Sequence, residues 1–321
     1  MGEFELIRNY FAAAPCAQGG DGVALGIGDD CALLAVAPGE QLAISTDTLV
    51  AGVHFADPCD PFLLGQRSLA VAVSDLAAMG ARPIAFTLAL TLPTVTADWL
   101  QAYARGLNLM AQGCRMALVG GDTTRGPLSI TMTVFGAVPT GQALTRGGAQ
   151  VGDLLCVGGE LGNAAGALPL VLDQRTAEAA IAEPLLAHYW SPQPQLALGL
   201  ALRGRATSAL DISDGLLADC GHIALASKVG IQVERHRLPL SKALVAFLGQ
   251  ADAEQAALAG GDDYVLAFTL PASERPTLIA DGWPIHVVGR VVAGQGVTLL
   301  DADGQDITPH TRGYQHFRET P

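Results

Sequence analysis

Aspartate recurs beside glycine or at the ends of apolar, strand-like runs, in "GIGDDCALL", "AISTDTL", "GGDTTRG", "LDISDGL" and "GGDDY". A single Asp-Gly step is an ordinary turn signal. Five such stations, with Asp75 in the helical run "SDLAAMG" as a sixth, ask for more than turns. Carboxylates held on short, stiff strand ends and projecting into a cleft repel one another unless cations neutralise them. The fold must therefore carry several strand ends to an acidic cleft.

The pattern between the stations supports that. "QLAIST", "IAFTLALTL", "MALVG" and "SITMTVFGAV" read as strands from β-branched content and alternation. "PFLLGQRSLAVAVSDLAAMG" reads as a helix closed by Gly80, and "TADWLQAYARGLNLMAQG" as a second with Gly113 after its end. The turn-rich stretch "VPTGQALTRGGAQVGD" then separates two halves, with the boundary expected at 140/141. The second half opens with the strand "DLLCVGG" and continues through "SALDISDGLLADCGHIALAS", "GGDDYVLAFTL" and "VVGRVV". Mixed α/β and α+β architecture in two domains, 1–140 and 141–321, is the expectation.

Charge and composition exclude several classes of function. A net charge of −13 is wrong for a binder of nucleic acid or of an anionic membrane, both of which want clustered Lys and Arg. The N-terminal "MGEFELIRNYF" has no basic and then apolar segment of a secretory signal, and uncharged windows such as "PIAFTLALTLPTVTA" are too short to span a bilayer. The six cysteines form no C-x-x-C pair and read as reduced core thiols of a cytoplasmic protein.

Carboxylates and hydroxyls without Cys or His clusters are hard oxygen ligands suited to Mg²⁺, which bridges protein carboxylates to substrate phosphates. Only two lysines occur, Lys228 and Lys242, and neither sits in a P-loop or a protein-kinase signature. Phosphate handling would fall to metal ions, glycine-loop amides and arginines such as Arg125 and Arg146. There is no G-x-S-x-G elbow, H-E-x-x-H or EF-hand loop, and "GIGDDC" lacks the third glycine of a dinucleotide fingerprint.

"GIGDDCALL", "AISTDTLVAGVHF", "SDLAAMGARP", "GGDTTRGPLSIT", "ALTRGGAQVGD", "DISDGL", "GGDDY" and "GYQHF", in this order and over nearly the whole chain, resemble the thiamine-monophosphate kinase family. That family is similar in fold to the aminoimidazole-ribonucleotide synthetase group. The resemblance implies an N-terminal metal- and ATP-binding domain forming a β-barrel-like homodimer interface, and a C-terminal α+β domain closing on the substrate. It implies transfer of the γ-phosphoryl group of ATP to thiamine monophosphate, the final step in making thiamine diphosphate. Carried residue by residue, it implies that Asp30, Ser45, Thr46, Asp47, Asp75, Asp122, Asp211 and Asp214 share Mg²⁺ ions, with Asp122, Asp47 and Asp75 at the reaction centre. Gly121, Asp122, Arg146 and Ser213 would meet ATP, while His54, Asp262 and an aromatic, Tyr314 or Phe317, would meet thiamine monophosphate.

The departures from the family pattern are Asp262 for the usual Glu, Asn163 for Asp and Gly147 for Ser. Two relatives of the same fold fit less well. Selenophosphate synthetase would need a lysine near Cys16, and the hydrogenase-maturation relative would need a cysteine in the tail that here reads "FRETP".

Overall fold

The computed structural model describes residues 3–309 and Gly313. Contacts divide the chain between Ala143 and Leu144, with Ala77–Gly80 grouped with the second unit. The first unit opens with a short helix α1 (Glu3–Leu6) running into a π-type turn, Ile7–Ala12, followed by a small hairpin of β1 (Val23–Leu25) and β2 (Leu33–Leu34). Its main sheet comprises β3 (Glu40–Val50), β4 (Arg82–Leu92), β5 (Ala117–Arg125) and β6 (Ser129–Pro139), in the order β3-β6-β4-β5. The pair β4/β5 is parallel, and its helical crossover is α3 (Ala97–Cys114). The sheet is open, with β3 and β5 as its edges; the chain by itself closes no barrel among the described residues.

Between β3 and β4 runs α2 (Pro61–Ala78), which is buried on almost every side from Leu64 onward, including Gln66, Arg67, Ser68 and Ser74. Residues apolar all round a helix make a core element, and the polar ones among them need partners. Ser68 finds one in the buried Tyr103 hydroxyl, 3.0 Å away on α3. The two helices cross at Gly65 and Gly106, where the backbones themselves touch. A Cβ on Gly106 would lie 1.9 Å from the Phe62 carbonyl oxygen, and one on Gly65 2.3 Å from that of Tyr103. The helix α3 ends on Arg115, in the left-handed conformation at φ 56°, and Gly113 lies inside it. This corrects the expected stop at Gly113: the chain turns at the next strand's approach and accepts the cost of a left-handed arginine.

Strand alternation divides the sheet into two faces. Ile130, Met132 and Val134 of β6 and Leu88 and Leu90 of β4 are buried on one, towards α2. The other carries a ladder of threonines, Thr46 to Thr133 at 3.0 Å and Thr48 to Thr131 at 2.9 Å, and is exposed at Leu42 and Ile44.

The second unit is a six-stranded mixed sheet between helices. Its elements are β7 (Leu154–Val157), α4 (Asn163–Val171), α5 (Ala179–Trp190), α6 (Leu196–Leu202), β8 (Ser208–Asp211), α7 (Leu216–Ser227), β9 (Gly230–Glu234), α8 (Lys242–Leu248), α9 (Gln250–Ala259), β10 (Leu266–Leu270), α10 (Arg275–Ala280), β11 (His286–Val292) and β12 (Gly296–Leu300). The order is β12-β9-β11-β7-β10-β8, with only β12/β9 parallel. Alternate residues of one strand enter opposite cores. Leu155 and Val157 pack with α7 and α9, whereas Cys156 packs with Leu198, Leu202 and Leu278. Strands covered on both faces read as apolar runs, and β8 and β10 are buried throughout. No helix among the described residues is long and apolar enough to cross a membrane.

The glycine crossing makes a paired prediction. Gly106→Ala should lower stability by about 1–3 kcal/mol or more through overpacking against Phe62. Gly113→Ala, with open space around its Cβ, should be neutral or gain up to about 1 kcal/mol from helix propensity. Urea unfolding of the two variants beside the wild type checks this, and equal midpoints would refute the backbone contact.

Candidate active site

The expected site residues emerge in three groups. The first surrounds a cavity of ≈ 680 Å³ at edge strand β5, lined by Asp29, Asp30 and Cys31 of the "GIGDDC" loop, by Gly120 to Thr123, and by apolar walls that include Ile7, Phe11 and Leu118. It joins Asp30 to Gly121 and Asp122, 91 and 92 positions further along the chain, at the edge where β5 runs alongside β4. The side-chain amide-like turns are local: Asp122 Oδ1 accepts the Thr123 N–H at 2.9 Å, and Asp29 Oδ1 accepts that of Asp30 at 2.9 Å. Two features escaped sequence reasoning. The N-terminal segment supplies a wall through Ile7 and Phe11, and Cys31 is an exposed pocket thiol where a core thiol was expected.

The two glycines before Asp122 do different things. Gly121 has φ 148°, and a Cβ there would lie 1.8 Å from the Leu88 carbonyl oxygen of β4, so any side chain would push the parallel strands apart. Gly120 has only Thr87 Cγ2 at 3.7 Å. The first glycine leaves room in the pocket, and the second permits the strand pairing that brings Asp122 there.

The second group sits at β3. Asp75, on α2, accepts a short hydrogen bond from the Ser45 hydroxyl. Ser45 and Asp47 share one face of β3, opposite Val134 and Met132 of β6, whereas Thr46 points to the other face and engages Thr133. Three consecutive strand residues cannot turn their side chains to one point. His54 follows in the loop, its Nδ1 accepting the Val50 N–H at 3.0 Å, so the neutral ring carries its proton on Nε2. Asp47 and Asp122 stand on opposite edge strands of the sheet, with β6 and β4 between them.

The third group belongs to the second unit and joins two loops. Asp262 donates its N–H to the Ser213 carbonyl at 2.8 Å, and Tyr264 donates its own to that of Ile212 at 2.8 Å. Asp262 and Tyr264 are left-handed at φ 65° and 52°, and the Tyr264 hydroxyl donates to Asp262 Oδ1 at 3.0 Å. Two strained non-glycine residues in three positions mark a loop whose shape is held by its surroundings. Asp211 ends β8, Ser213 is exposed and Asp214 half-buried. Arg146 is exposed in a loop tied down by Ser227, whose hydroxyl donates to the Arg146 carbonyl and accepts from Gly148 and Ala149.

Two buried carboxylates that sequence reasoning left out of the site support this third group. Asp219 Oδ2 accepts the N–H groups of Ser213, Asp214 and Gly215 at 3.0, 3.0 and 3.1 Å. Burial pushes its carboxyl up to about 7 against those three donors. Both oxygens of Asp263 accept the Gly162 N–H, at 2.8 and 2.9 Å, and burial holds this group well above the usual carboxylate range. The sequence signal for Asp219 is an acidic residue in the first turn after "DISDG". Asn163, where the family pattern has Asp, is buried and accepts from the Ser241 hydroxyl, a packing role. Tyr314 and Phe317 lie outside the described residues, while Gly313 reaches the DISDGL loop: a Cβ on it would be 2.6 Å from the Asp214 carbonyl oxygen. Among the described residues no three His, Cys, Asp or Glu side chains form a ready metal cage.

Residues 28–138 match the AIR synthase related protein N-terminal domain and residues 150–302 the corresponding C-terminal domain. The thiamine-monophosphate kinase of Escherichia coli K12 is 44% identical over 98% of this chain and 98% of its own. The chain belongs to the thiamine-monophosphate kinase family. As a member of that family it is a kinase. The crystal structure of thiamine-monophosphate kinase from Stenotrophomonas maltophilia K279a is 46% identical with a TM-score of 0.83, covering 89% of this chain and 92% of that one. AaThiL complexed with AMPPCP and TMP is 28% identical with a TM-score of 0.80, over 88% and 89%.

The glycine pair gives the test of this geometry. Gly121→Ala should cost on the order of 1–3 kcal/mol or more through backbone strain and collision, whereas Gly120→Ala should melt at or slightly above the wild type. Thermal melting of both distinguishes a strand-packing glycine from a pocket glycine, and a stable Gly121→Ala would contradict the close approach to Leu88.

Proposed function

We propose that the chain transfers the γ-phosphoryl group of ATP directly to the phosphate of thiamine monophosphate, giving thiamine diphosphate and ADP. The observation that carries this is the cavity joining Asp30, Gly121 and Asp122 between apolar walls, in a member of a kinase family. The AMPPCP and TMP held by AaThiL support the same pair of substrates here. At ≈ 680 Å³ the cavity is in the range of ligand and cofactor sites.

The donor set fits Mg²⁺: carboxylates and hydroxyls, with Cys31 as the lone thiol in the pocket and no preformed cage among the described residues. An ion that keeps much of its water and arrives with phosphates needs no closed protein cage. Several such ions would be held by Asp30, Ser45, Thr46, Asp47, Asp75 and Asp122 in the first unit and by Asp211 and Asp214 in the second. Bound there, they would neutralise charge on the anionic phosphates. Residues of the chain then bind and orient. The acceptor is a phosphate oxygen, already anionic, so no strong general base is required and alignment carries the rate. His54 offers Nε2–H to a phosphate oxygen, Ser213 and Arg146 meet the nucleotide, and Asp262, held by Tyr264, faces thiamine monophosphate.

Because β6 and β4 separate Asp47 from Asp122 within one chain, we place Asp122 of the partner subunit at the β3 edge that carries Asp47, in a homodimer formed on the open face of the first sheet. The exposure of Leu42 (41%) and Ile44 (59%) on that face supports this, since apolar side chains there gain by being covered. The six unpaired cysteines suit a reducing cytoplasm.

Two measurements test the reading. Release of ADP in a coupled assay should require thiamine monophosphate and Mg²⁺, vanish in excess EDTA, and be far slower with free thiamine; full activity with the chelator present would overturn the metal-assisted mechanism. Asp122→Asn should fold normally and lose on the order of 10²–10³ in kcat, as for a preorganised electrostatic contact. Mixing it with inactive Asp47→Asn under subunit exchange should restore up to about a quarter of wild-type activity, because half the dimers then hold one intact shared site. No recovery in demonstrably exchanged dimers would return both aspartates to one chain.

A further inference from the structure

The helix α7 begins without a side-chain cap. Its N-cap is Gly215, at φ 115° and ψ 148°. No larger residue fits there, because a Cβ would lie 2.8 Å from Ala259 Cα and 2.9 Å from its carbonyl carbon. The loop before it, Ser213-Asp214-Gly215, thus directs three consecutive N–H groups inward with no donor-accepting side chain at the usual position. Asp219, one turn into the helix and 4% exposed, supplies the missing acceptor by folding back. A single oxygen, Oδ2, takes all three.

We infer that Asp219 is a positioning residue for nucleotide and metal binding: by gathering the amides of Ser213, Asp214 and Gly215 it aims the Ser213 hydroxyl and the Asp214 carboxylate outward. The inference rests on the reading of Ser213 and Asp214 as ligands given above. The same amide concavity would otherwise suit a phosphate. With Asp219 filling it, the loop offers side chains and not amides to the nucleotide. The Ser213 carbonyl, fixed by the same turn, accepts the Asp262 N–H and so registers the second loop. Losing Asp219 therefore disturbs both loops at once while leaving every proposed ligand present.

The test uses the full chain carrying Asp219→Ala, with Asp219→Asn as the variant that keeps an acceptor oxygen, and Leu217→Ala as a control buried on the same helix. Half-saturating ATP and Mg²⁺ are measured well below every melting midpoint, and the midpoints themselves are recorded. Asp219→Ala should raise both half-saturation values about tenfold, as for partners that orient ligands, and Asp219→Asn should fall between it and the wild type. Leu217→Ala should lower the melting midpoint and leave both values unchanged. Wild-type half-saturation in Asp219→Ala, or an equal rise in Leu217→Ala, overturns the inference; if Asp219→Ala does not fold, wild-type values in Asp219→Asn do the same. Ser213→Ala and Asp214→Asn separate the two levels. If they weaken ATP or Mg²⁺ binding while the Asp219 variants do not, only the positioning role fails; if they too are silent, the ligand reading fails with it.

Discussion

The first unit depends on how closely α2 lies against its neighbours. A helix buried on nearly every side has no solvent face on which to leave a mismatch, so its contacts must be met by backbone shape and by paired polar groups. Gly65 and Gly106 allow the crossing with α3, Ser68 meets Tyr103 within it, and Asp75 reaches out to Ser45 on β3. With α2 on one side of the sheet, the residues of β3 sort themselves by strand period. Ser45 and Asp47 turn towards the helix, and Thr46 and Thr48 join the threonine ladder opposite.

A second close approach sets the pocket. Parallel pairing of β4 and β5 at Gly121 puts Asp122 at a sheet edge beside the "GIGDDC" loop. The glycine there answers to a carbonyl oxygen of the neighbouring strand more than to a ligand. This explains why two adjacent glycines with the same appearance in a sequence carry different constraints. One is bounded by backbone, which cannot yield; the other faces a cavity and a threonine methyl.

The second unit solves a different problem, the holding of two strained loops beside each other. Left-handed Asp262 and Tyr264 persist because hydrogen bonds to Ser213 and Ile212 over-determine the backbone. Buried Asp219 and Asp263 take up the amides that these turns leave over, at Ser213 to Gly215 and at Gly162. Burying each carboxylate is costly, as their raised proton affinities record. Amide donors offset part of that cost.

Much could be read in the chain itself. Spacing and alternation located the strands around Ser45, Leu88 and Met132, because a strand covered on one face by a helix must alternate, and found the start but not the end of the strand that carries Asp122. Local signals erred where tertiary contact overrode them, as at Gly113, which stayed helical while Arg115 made the turn. Only the fold decided which stations meet. Asp30 meets Asp122 at the edge where a parallel crossover returns β5 to β4, and Asp47 falls on the opposite edge strand because β6 and β4 lie between β3 and β5. Asp219 and Asp263 owe their places to amides whose orientation exists only in the folded loops. Sequence determines which groups are available through composition and local period; distance across a sheet is set by strand order, and strand order is a property of the whole packed unit.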